Sequence, residues 1–282
     1  MPLTGVQSIL KKLLPARIFR FIYNLASGGY VIWIKTLDNS YYLLAHIYYL
    51  LTNNREKLAR IKRIKAIKQY SMVGRAGLFR THDIAAEMEK QKIDGCFVEC
   101  GVARGGSSAL MALVAADYNS NRKLWLFDSF EGLSEPTAED EFQESLRYSP
   151  GNRASDLVAP GYCLGTYEEV EDFLFSKLRL SRENIFMVKG WFQDTLPEYR
   201  EKTDTIAILR IDGDWYESTK CCLEYLYDNV IPGGSIIIDD YESYVGAKKA
   251  TDEFIKNREI ETELSFDGRG GCYFIKPQSG IY

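Results

Sequence analysis

The sequence contains only two histidines, His46 and His82, and its six cysteines include no C-x-x-C pair. Zinc sites are built from Cys and His at short, recurring spacings, so this composition argues against a zinc protein. Cysteines without a pairing pattern also predict free thiols, and we therefore expect a reduced, cytoplasmic protein.

The sequence also lacks the marks of export or membrane insertion. No basic start, apolar centre and small-residue cleavage site follow one another near the N-terminus. The longest nearly uncharged run, residues 36–54, is interrupted by Asp38 and His46, so it is a poor candidate for a membrane span. Neither a leader nor a spanning helix is predicted.

Aromatic residues are nearly missing from the most basic stretch, residues 55–68. There Lys and Arg alternate with four aliphatic residues at helical spacing, Leu58, Ile61, Ile64 and Ile67. Nucleic-acid partners need rings on which bases stack, so we interpret this stretch as a helix with a solvated basic face. No nucleic-acid partner is predicted.

The chain has 282 residues, 46% hydrophobic and 26% charged, which is enough for one catalytic domain with an extension. Its charge is unevenly divided. Residues 1–70 hold twelve Lys or Arg against two acids, a net charge of +10, whereas the rest carries −14. We predict a basic, apolar helical extension over residues 1–70 and a catalytic domain over residues 71–282.

The extension fits three environments. Apolar residues between Ile9 and Tyr23 form an amphipathic pattern, with basic side chains at Lys11, Lys12, Arg17 and Arg20. Such a helix suits the anionic inner face of a membrane, and it suits equally the chain's own domain or a second subunit. The run 41–51 is apolar on all sides and needs cover, which a homodimer interface would provide.

After residue 80 the pattern alternates between strands and helices. We predict strands at residues 96–100, 124–127, 185–189, 206–211 and 235–238, and helices at residues 82–92, 107–117, 166–178, 196–202, 217–229 and 246–257. This alternation is typical of an α/β fold with a doubly wound, mostly parallel sheet. Two closely spaced strands, near 261–266 and 272–275, predict an antiparallel C-terminal edge.

Two of these strands end in pairs of acids. TIAILRIDGD carries Asp212 and Asp214, and SIIIDDY carries Asp239 and Asp240. The carboxyl ends of parallel strands share one edge of a sheet, so these acids are expected to converge. Carboxylate oxygens suit Mg²⁺ better than zinc or copper. An Asp-Asp pair alone often marks a solvated turn, but two such strand ends favour a site.

A glycine-rich turn, residues 101–106, follows the first strand and opens a helix. Glycines let the backbone approach a ligand closely, although they also serve tight packing of strand against helix. The G-x-x-x-G-G spacing differs from the dinucleotide G-x-G-x-x-G pattern. Glu99 and Asp128 add negative charge, which repels a pyrophosphate and suits a cationic sulfonium cofactor. A carboxylate at Asp128 is also well placed for ribose hydroxyls.

Five segments together resemble one protein family: FVECGVARGGSS, LWLFDSFEGL, KGWFQDTLP, LRIDGDWYEST, and VIPGGSIIIDDY followed by GAKKATDEF. In this order they resemble the macrocin O-methyltransferase (TylF) family of S-adenosylmethionine-dependent, Mg²⁺-dependent sugar O-methyltransferases. The similarity runs from about residue 97 to 254. It implies a class I methyltransferase fold, which is Rossmann-like and has a seven-stranded sheet.

The resemblance also implies roles for individual residues. Those implied for the methionine part of the cofactor are Glu99, Gly101, Gly105, Gly106 and Ser107. Those implied for its ribose and adenine are Asp128, Ser129, Gln193 and Asp194. The metal ligands would be Asp212, Asp239 and Asp240. Asp214 would be the general base, or alternatively an acid that holds metal waters or a helix start.

We therefore expect O-methyl transfer to a sugar hydroxyl, with Mg²⁺ lowering the pKa of that hydroxyl. The acceptor is left open between a glycosylated natural product, a nucleotide sugar, a surface polysaccharide and a lipid-linked glycan. The alternatives are an NAD-dependent oxidoreductase and a non-catalytic glycan-binding or scaffold module. The acidic stretch 131–144 is interpreted as a lid beside the cofactor.

Overall fold

Seven strands form one sheet in a computed structural model that describes residues 4–140, 161 and 163–278. They are β1 (Cys96–Cys100), β2 (Leu124–Asp128), β3 (Ile185–Lys189), β4 (Ile206–Ile211), β5 (Val230–Ile238), β6 (Ser265–Phe266) and β7 (Cys272–Ile275). Their order is β3-β2-β1-β4-β5-β7-β6. The first five are parallel, and β7 is antiparallel to both neighbours. The predicted fold class is confirmed.

Helices cover both faces of the sheet. They are α1 (Thr4–Leu13), α2 (Ala16–Leu51), α3 (Arg55–Ile67), α4 (Arg75–Lys90), α5 (Gly106–Asp117), α6 (Tyr167–Glu171), α7 (Phe192–Tyr199), α8 (Tyr216–Leu226) and α9 (Val245–Asn257). Helices α3 to α6 share one hydrophobic core with the sheet, and α7 to α9 share the other. Successive strand residues alternate between the cores: Phe97 belongs to the first and Val98 to the second.

The order of the strands reverses beside β1. The chain builds outward from β1 through β2 to β3, and then returns to place β4 and β5 on the other side of β1. The loops after β1 and β4 therefore leave the sheet in opposite directions and open a crevice between them. The glycine turn and the acids Asp212 and Asp214 lie in these two loops.

Several helices begin earlier than the sequence predicts. Helix α4 was expected at residues 82–92, but it begins at Arg75. Gly77 weakens the helical signal there, yet its lack of a side chain is required, because a Cβ would lie 2.7 Å from Val73 Cγ1. The helix predicted at 166–178 is confirmed from a capping box of Thr166 and Glu169, and it continues past α6 as a π-helix, Asp172–Lys177.

Helix α3 belongs to the core of the domain that contains the sheet. Ile61, Ile64 and Ile67 have no exposed surface, and they pack in the core shared with α4 and α5. The basic residues of α3 include Lys57, Lys62 and Lys65, which are exposed as the periodicity predicts. The core thus reaches N-terminal of residue 70, where we placed the end of the extension.

The N-terminal part of the chain forms two helices rather than one. Helix α1 ends at Leu13 and α2 begins at Ala16, because Pro15 interrupts the amphipathic pattern. Across the described residues, no helix combines the length and apolarity needed to cross a bilayer.

A buried histidine joins three helices. His82 of α4 is 2% exposed, and Arg63 of α3 donates to its Nε2 at 2.7 Å. Because a guanidinium only donates, Nε2 must accept, and the ring donates from Nδ1 to Asp83 at 2.9 Å. Arg63 also donates to Asp117 of α5. Burial lowers the pKa of His82, and the hydrogen bond to Asp83 opposes that shift.

We expect the contribution of His82 to the free energy of unfolding to fall as the pH is lowered below about 6.5, the ordinary pKa of histidine, whereas Glu99 and Asp214, whose pKa values are raised, contribute in the opposite direction. His82 holds a proton more weakly in the folded than in the unfolded chain, so the unfolded state takes up more protons in that range. Urea unfolding at pH 7.5, 6.5 and 5.5 measures the effect. The difference in free energy of unfolding between wild type and His82→Gln isolates the contribution of His82 and should fall toward pH 5.5, because the carboxyl contributions are common to both proteins. Parallel curves for wild type and His82→Gln would contradict the assignment.

Candidate active site

The crevice beside β1 contains a cavity of about 680 Å³, a volume typical of small-molecule sites. It lies at the carboxyl ends of β1, β2, β4 and β5. Eight of the thirteen predicted site residues line it: Gly101, Asp128, Ser129, Gln193, Asp212, Asp214, Asp239 and Asp240. Residues from well apart in the sequence, among them Met72, Trp191 and Tyr244, complete the wall.

Gly101 allows the ends of β1 and β4 to come together. Its φ is +92°, and a Cβ there would lie 1.8 Å from the carbonyl oxygen of Asp212. Any side chain would push the two strand ends apart. The turn after β1 and the acids after β4 therefore share one wall of the cavity because residue 101 is glycine.

Asp128 holds the glycine turn in place. Its carboxylate accepts from the backbone N–H groups of Val102 at 2.6 Å, Ala103 at 3.0 Å and Phe130 at 2.6 Å. Burial raises the pKa of Asp128, and these three hydrogen bonds oppose the shift. The acid predicted to bind ribose thus lies between the turn and the cavity, with its orientation fixed by backbone donors.

The other glycines of the turn pack against protein. A Cβ on Gly105 would lie 3.0 Å from Val170 Cγ1, and one on Gly106 would lie 2.5 Å from Ser71 Cβ. In this structure both glycines serve close packing, which was the alternative considered for this turn. Ser107 is buried in α5, and Asp194 is exposed outside the cavity wall.

Three carboxylates form a cluster on the cavity wall. One oxygen from each of Asp212, Asp214 and Asp240 lies within 4.8 Å of the others. Burial, followed by the charge of Asp239, raises the pKa of Asp212 well above its usual range. Burial raises the pKa of Asp214 to about 7, and burial followed by the charge of Asp214 raises that of Asp240. Carboxylates this close repel one another unless a proton or a cation lies between them.

The cluster fits a hard divalent cation. All its donor atoms are carboxylate oxygens, which Mg²⁺ prefers. Asp240 Oδ2 is buried and has no hydrogen-bond partner among the residues the structure describes. A buried polar atom without a partner is costly, and a bound cation would satisfy it.

Asp239 is not one of the three clustered carboxylates, and it shares Arg210 with Asp212. Arg210 Nη2 donates to Asp239 at 2.8 Å and to Asp212 at 3.0 Å. Its Nε lies 3.3 Å from Glu99, the residue opposite it on β1. The side chain of Arg210 is completely buried. The Arg210 guanidinium thus links three acids: Glu99 on β1, and the residues that directly follow β4 and β5.

Glu99 therefore lies behind the cavity wall rather than in it. It is 1% exposed, accepts a hydrogen bond from Ser108 and does not line the cavity. Burial raises its pKa to about 7, although the charge of Arg210 lowers it. The motif comparison missed Arg210, whose signal in the sequence is a single charge within an otherwise apolar strand, IAILRI.

The loop that carries Asp214 is held by the acidic stretch across the cavity. Asp214 has a φ of +57°, which is rare for a residue with a side chain and is typical of functional sites. Next to it, Trp215 Nε1 donates to the Ser134 carbonyl at 2.9 Å, and Tyr216 N donates to Asp140 at 2.6 Å. Asp140, which belongs to the stretch interpreted as a lid beside the cofactor, is buried. Residues 141–144 of that lid lie outside the described residues.

A doubly wound sheet with a glycine turn after β1, an acid after β2 and acids after β4 and β5 defines a class I methyltransferase fold. A sequence model of the macrocin O-methyltransferase (TylF) family matches residues 50–276. This chain therefore belongs to the macrocin O-methyltransferase family. It is an O-methyltransferase on the fold used by S-adenosylmethionine-dependent enzymes.

Individual proteins similar to this chain are also O-methyltransferases. Demethyldecarbamoylnovobiocin O-methyltransferase of Streptomyces niveus is 33% identical over 78% of this chain and 80% of that protein. A rhamnosyl-tetracenomycin-C 4'-O-methyltransferase of Streptomyces olivaceus is 36% identical over 61% of this chain and 62% of that protein. The solved structure of the O-methyltransferase NovP matches with a TM-score of 0.62 at 32% identity, over 74% of this chain and 83% of that one.

Proposed function

We propose that this protein transfers a methyl group from S-adenosylmethionine to a hydroxyl of a sugar in a glycoside or glycan, with Mg²⁺ at the acid cluster. The observation that carries the proposal is the joining of Asp212, Asp214 and Asp240 on the wall of a cavity that Asp128 also lines. The rhamnosyl group in the name of the Streptomyces olivaceus relative supports a sugar acceptor.

The two ends of the cavity suit the two substrates. Gly101 and Asp128 lie beside the turn after β1, where a nucleoside would find close backbone and a carboxylate for ribose hydroxyls. Gln193, on the loop after β3, also lines the cavity and is proposed to face the adenine. The acid cluster is proposed to bind the acceptor. The methyl donor and the acceptor hydroxyl would then share one cavity, which favours an oriented transfer.

Asp212 and Asp240 are the residues proposed to hold the cation. A bound divalent cation would lower the pKa of the acceptor hydroxyl and orient it. Asp214 lies in the same cluster, close enough to accept the hydroxyl proton. The resemblance adds Asp239 as a ligand, and in this structure Asp239 pairs with Arg210, as Asp212 also does. Whether Asp239 or Asp214 joins the metal is decided by the variants described in the Discussion.

We also propose that this protein resides in the cytoplasm. All six cysteines are free, and free thiols are typical of a reducing environment such as the cytoplasm.

Calorimetric titration with S-adenosylhomocysteine tests the cofactor. We expect binding by the wild type and a loss of about 10- to 100-fold in affinity for Asp128→Asn, because a carboxylate accepts hydroxyl hydrogen bonds better than an amide does. Asp94→Asn is the matched control, since Asp94 is exposed, lies outside the cavity wall and is not among the predicted site residues. NAD binding in place of S-adenosylhomocysteine would favour an oxidoreductase and contradict the proposal. Sugar binding without either cofactor would favour a glycan-binding module.

Titration with Mg²⁺ tests the metal. The wild type should bind it, and Asp240→Asn should not, because its unpartnered oxygen is the group that a cation would satisfy. Asp94→Asn, at an exposed site outside the cavity, should bind like the wild type. Equal Mg²⁺ binding by all three proteins would place the cation elsewhere.

A further inference from the structure

Helix α2 presents an unusually large apolar surface to solvent. Its 36 residues include fourteen large apolar side chains that are at least 40% exposed. They are Ile18, Phe21, Ile22, Leu25, Tyr30, Ile32, Trp33, Leu37, Leu43, Leu44, Ile47, Tyr48, Leu50 and Leu51. Monomeric proteins rarely expose a contiguous apolar patch of more than a few hundred Å². A surface of this extent indicates a binding partner.

The exposed residues form one continuous stripe. Positions 18, 25, 32, 43 and 50 repeat at steps of seven or eleven residues, and each step returns to within about 20° of the same side of a helix. The other nine flank this line. The stripe therefore runs the whole length of α2, about 54 Å at 1.5 Å per residue. The four charged residues of α2 lie on the other side: Arg17, Arg20, Lys35 and Asp38.

The rest of the molecule fixes which way the stripe faces. Tyr42 is buried against the core that α3 and α4 share, and the ring of Tyr41 lies 6.3 Å from that of Phe79 on α4. At the N-terminal end of α2, Phe19 and Tyr23 pack against Leu10 of α1 and against Leu14, which follows α1. These contacts occupy the inner side of α2, so the stripe faces away from the domain.

The stripe is not part of the methyltransferase fold itself. The family model begins at residue 50, so α1 and nearly all of α2 precede it. The cavity wall contains no residue of α1 or α2. The surface therefore serves something other than completing the cofactor site.

Charge indicates what covers it. Residues 4–51 carry five basic side chains, Lys11, Lys12, Arg17, Arg20 and Lys35, against one acid, Asp38. Asp38 is paired with Arg75 at 3.3 Å. A long apolar face with basic residues on the opposite, polar side is typical of a helix that lies on an anionic membrane surface, and Trp33, Tyr30 and Tyr48 are residues favoured at that boundary. We propose that α1 and α2 dock this protein on an anionic membrane surface, with α2 lying in the plane of the interface.

A second copy of the chain fits the stripe less well. Two α2 helices can pair over their whole stripes in register or antiparallel. Either arrangement brings together two segments of net positive charge, since residues 4–51 of each copy carry five basic residues and one acid. Like charges that are brought close together oppose association, whereas anionic lipid attracts every basic residue of α1 and α2.

Flotation of the full chain with vesicles tests the proposal, and it does not depend on the methyl-transfer function. The protein should float with vesicles that contain phosphatidylglycerol and remain behind with pure phosphatidylcholine at the same salt. Arg17→Gln with Arg20→Gln should lower partition about tenfold or more, since each basic residue near an anionic surface contributes about a factor of five. Lys123→Gln with Arg179→Gln removes equal charge from exposed positions outside α1 and α2 and should change partition little.

A second pair of variants tests the stripe. Leu25→Ser with Ile32→Ser removes two exposed apolar side chains without adding charge and should abolish flotation. Tyr118→Ser with Ile275→Ser does the same at exposed positions elsewhere and should not. Flotation that survives the stripe variant overturns the proposal. Absence of flotation overturns it too, and a dimer in sedimentation that the stripe variant dissociates would then identify the occupant as a second copy.

Discussion

Replacement of Arg210 by methionine is expected to lower the free energy of unfolding by about 3–5 kcal/mol, the usual cost of removing one member of a buried ion pair. Methionine fills a similar volume but leaves Glu99, Asp212 and Asp239 without their shared cation. Urea unfolding followed by far-ultraviolet circular dichroism measures the change.

Arg258→Met is the matched control for Arg210→Met. Arg258 is half-exposed and pairs with Asp228 on the surface, so its loss should change stability by about 1 kcal/mol or less. Arg210→Lys keeps the charge and should recover part of the loss, although it cannot reach all three acids with a planar fork. Equal losses for Arg210→Met and Arg258→Met would show that the buried arrangement contributes nothing specific.

Replacement of Asp214 by asparagine is expected to lower kcat by about 10²- to 10⁴-fold, the usual contribution of a general base. Asparagine preserves the shape of the side chain but cannot accept the hydroxyl proton. Binding of Mg²⁺ and S-adenosylhomocysteine should stay within a few fold of the wild type if Asp214 acts as the base. Methyl transfer to a sugar acceptor and calorimetric titration of the same protein supply both measurements.

Asp239→Asn separates the two arrangements of ligands. If Asp239 holds the cation, as the resemblance implies, its variant should lose Mg²⁺ binding while Asp214→Asn keeps it. If the cluster of Asp212, Asp214 and Asp240 holds the cation, the opposite result is expected. Loss of activity without loss of binding in both variants would leave Asp212 and Asp240 as the only carboxylate ligands.

The sheet was the most predictable part of this protein. Strands β1, β3, β4 and β7 begin and end at the predicted residues, because each is a short run of apolar residues bounded by turns or charges. Strands that are buried on both faces in a parallel sheet need such runs. The acids after β4 and β5 were predictable for the same reason, since the ends of parallel strands meet at one edge.

The partners of the site residues were not predictable from the pattern. Glu99 and Arg210 face each other only because β1 and β4 are neighbours in one particular register, and neither their sequence spacing nor their motifs reveal it. Gly105 and Gly106 match a cofactor motif, yet their close neighbours are Val170 and Ser71 from distant segments. Contacts between distant segments depend on tertiary packing, which a motif does not describe.

Helix α2 shows a different limit. The run 41–51 was predicted to need cover, and the structure buries Tyr42 while leaving Leu44 67% and Leu51 80% exposed. An apolar run predicts that its side chains are buried, but it does not predict whether protein or lipid covers them.

The burial of α3 determines where this protein can be shortened. A chain that starts at Ser71 would lose Ile61, Ile64 and Ile67 from the core, together with the ring of Tyr70 that stacks on Phe173 at 3.7 Å. It would also leave the bare Cα of Gly106 facing a shortened, frayed terminus. A truncated enzyme intended for crystallisation should therefore begin before Asn54, whose side chain caps α3, because this keeps Ile61, Ile64 and Ile67 in the core and removes only Tyr42 of its buried residues.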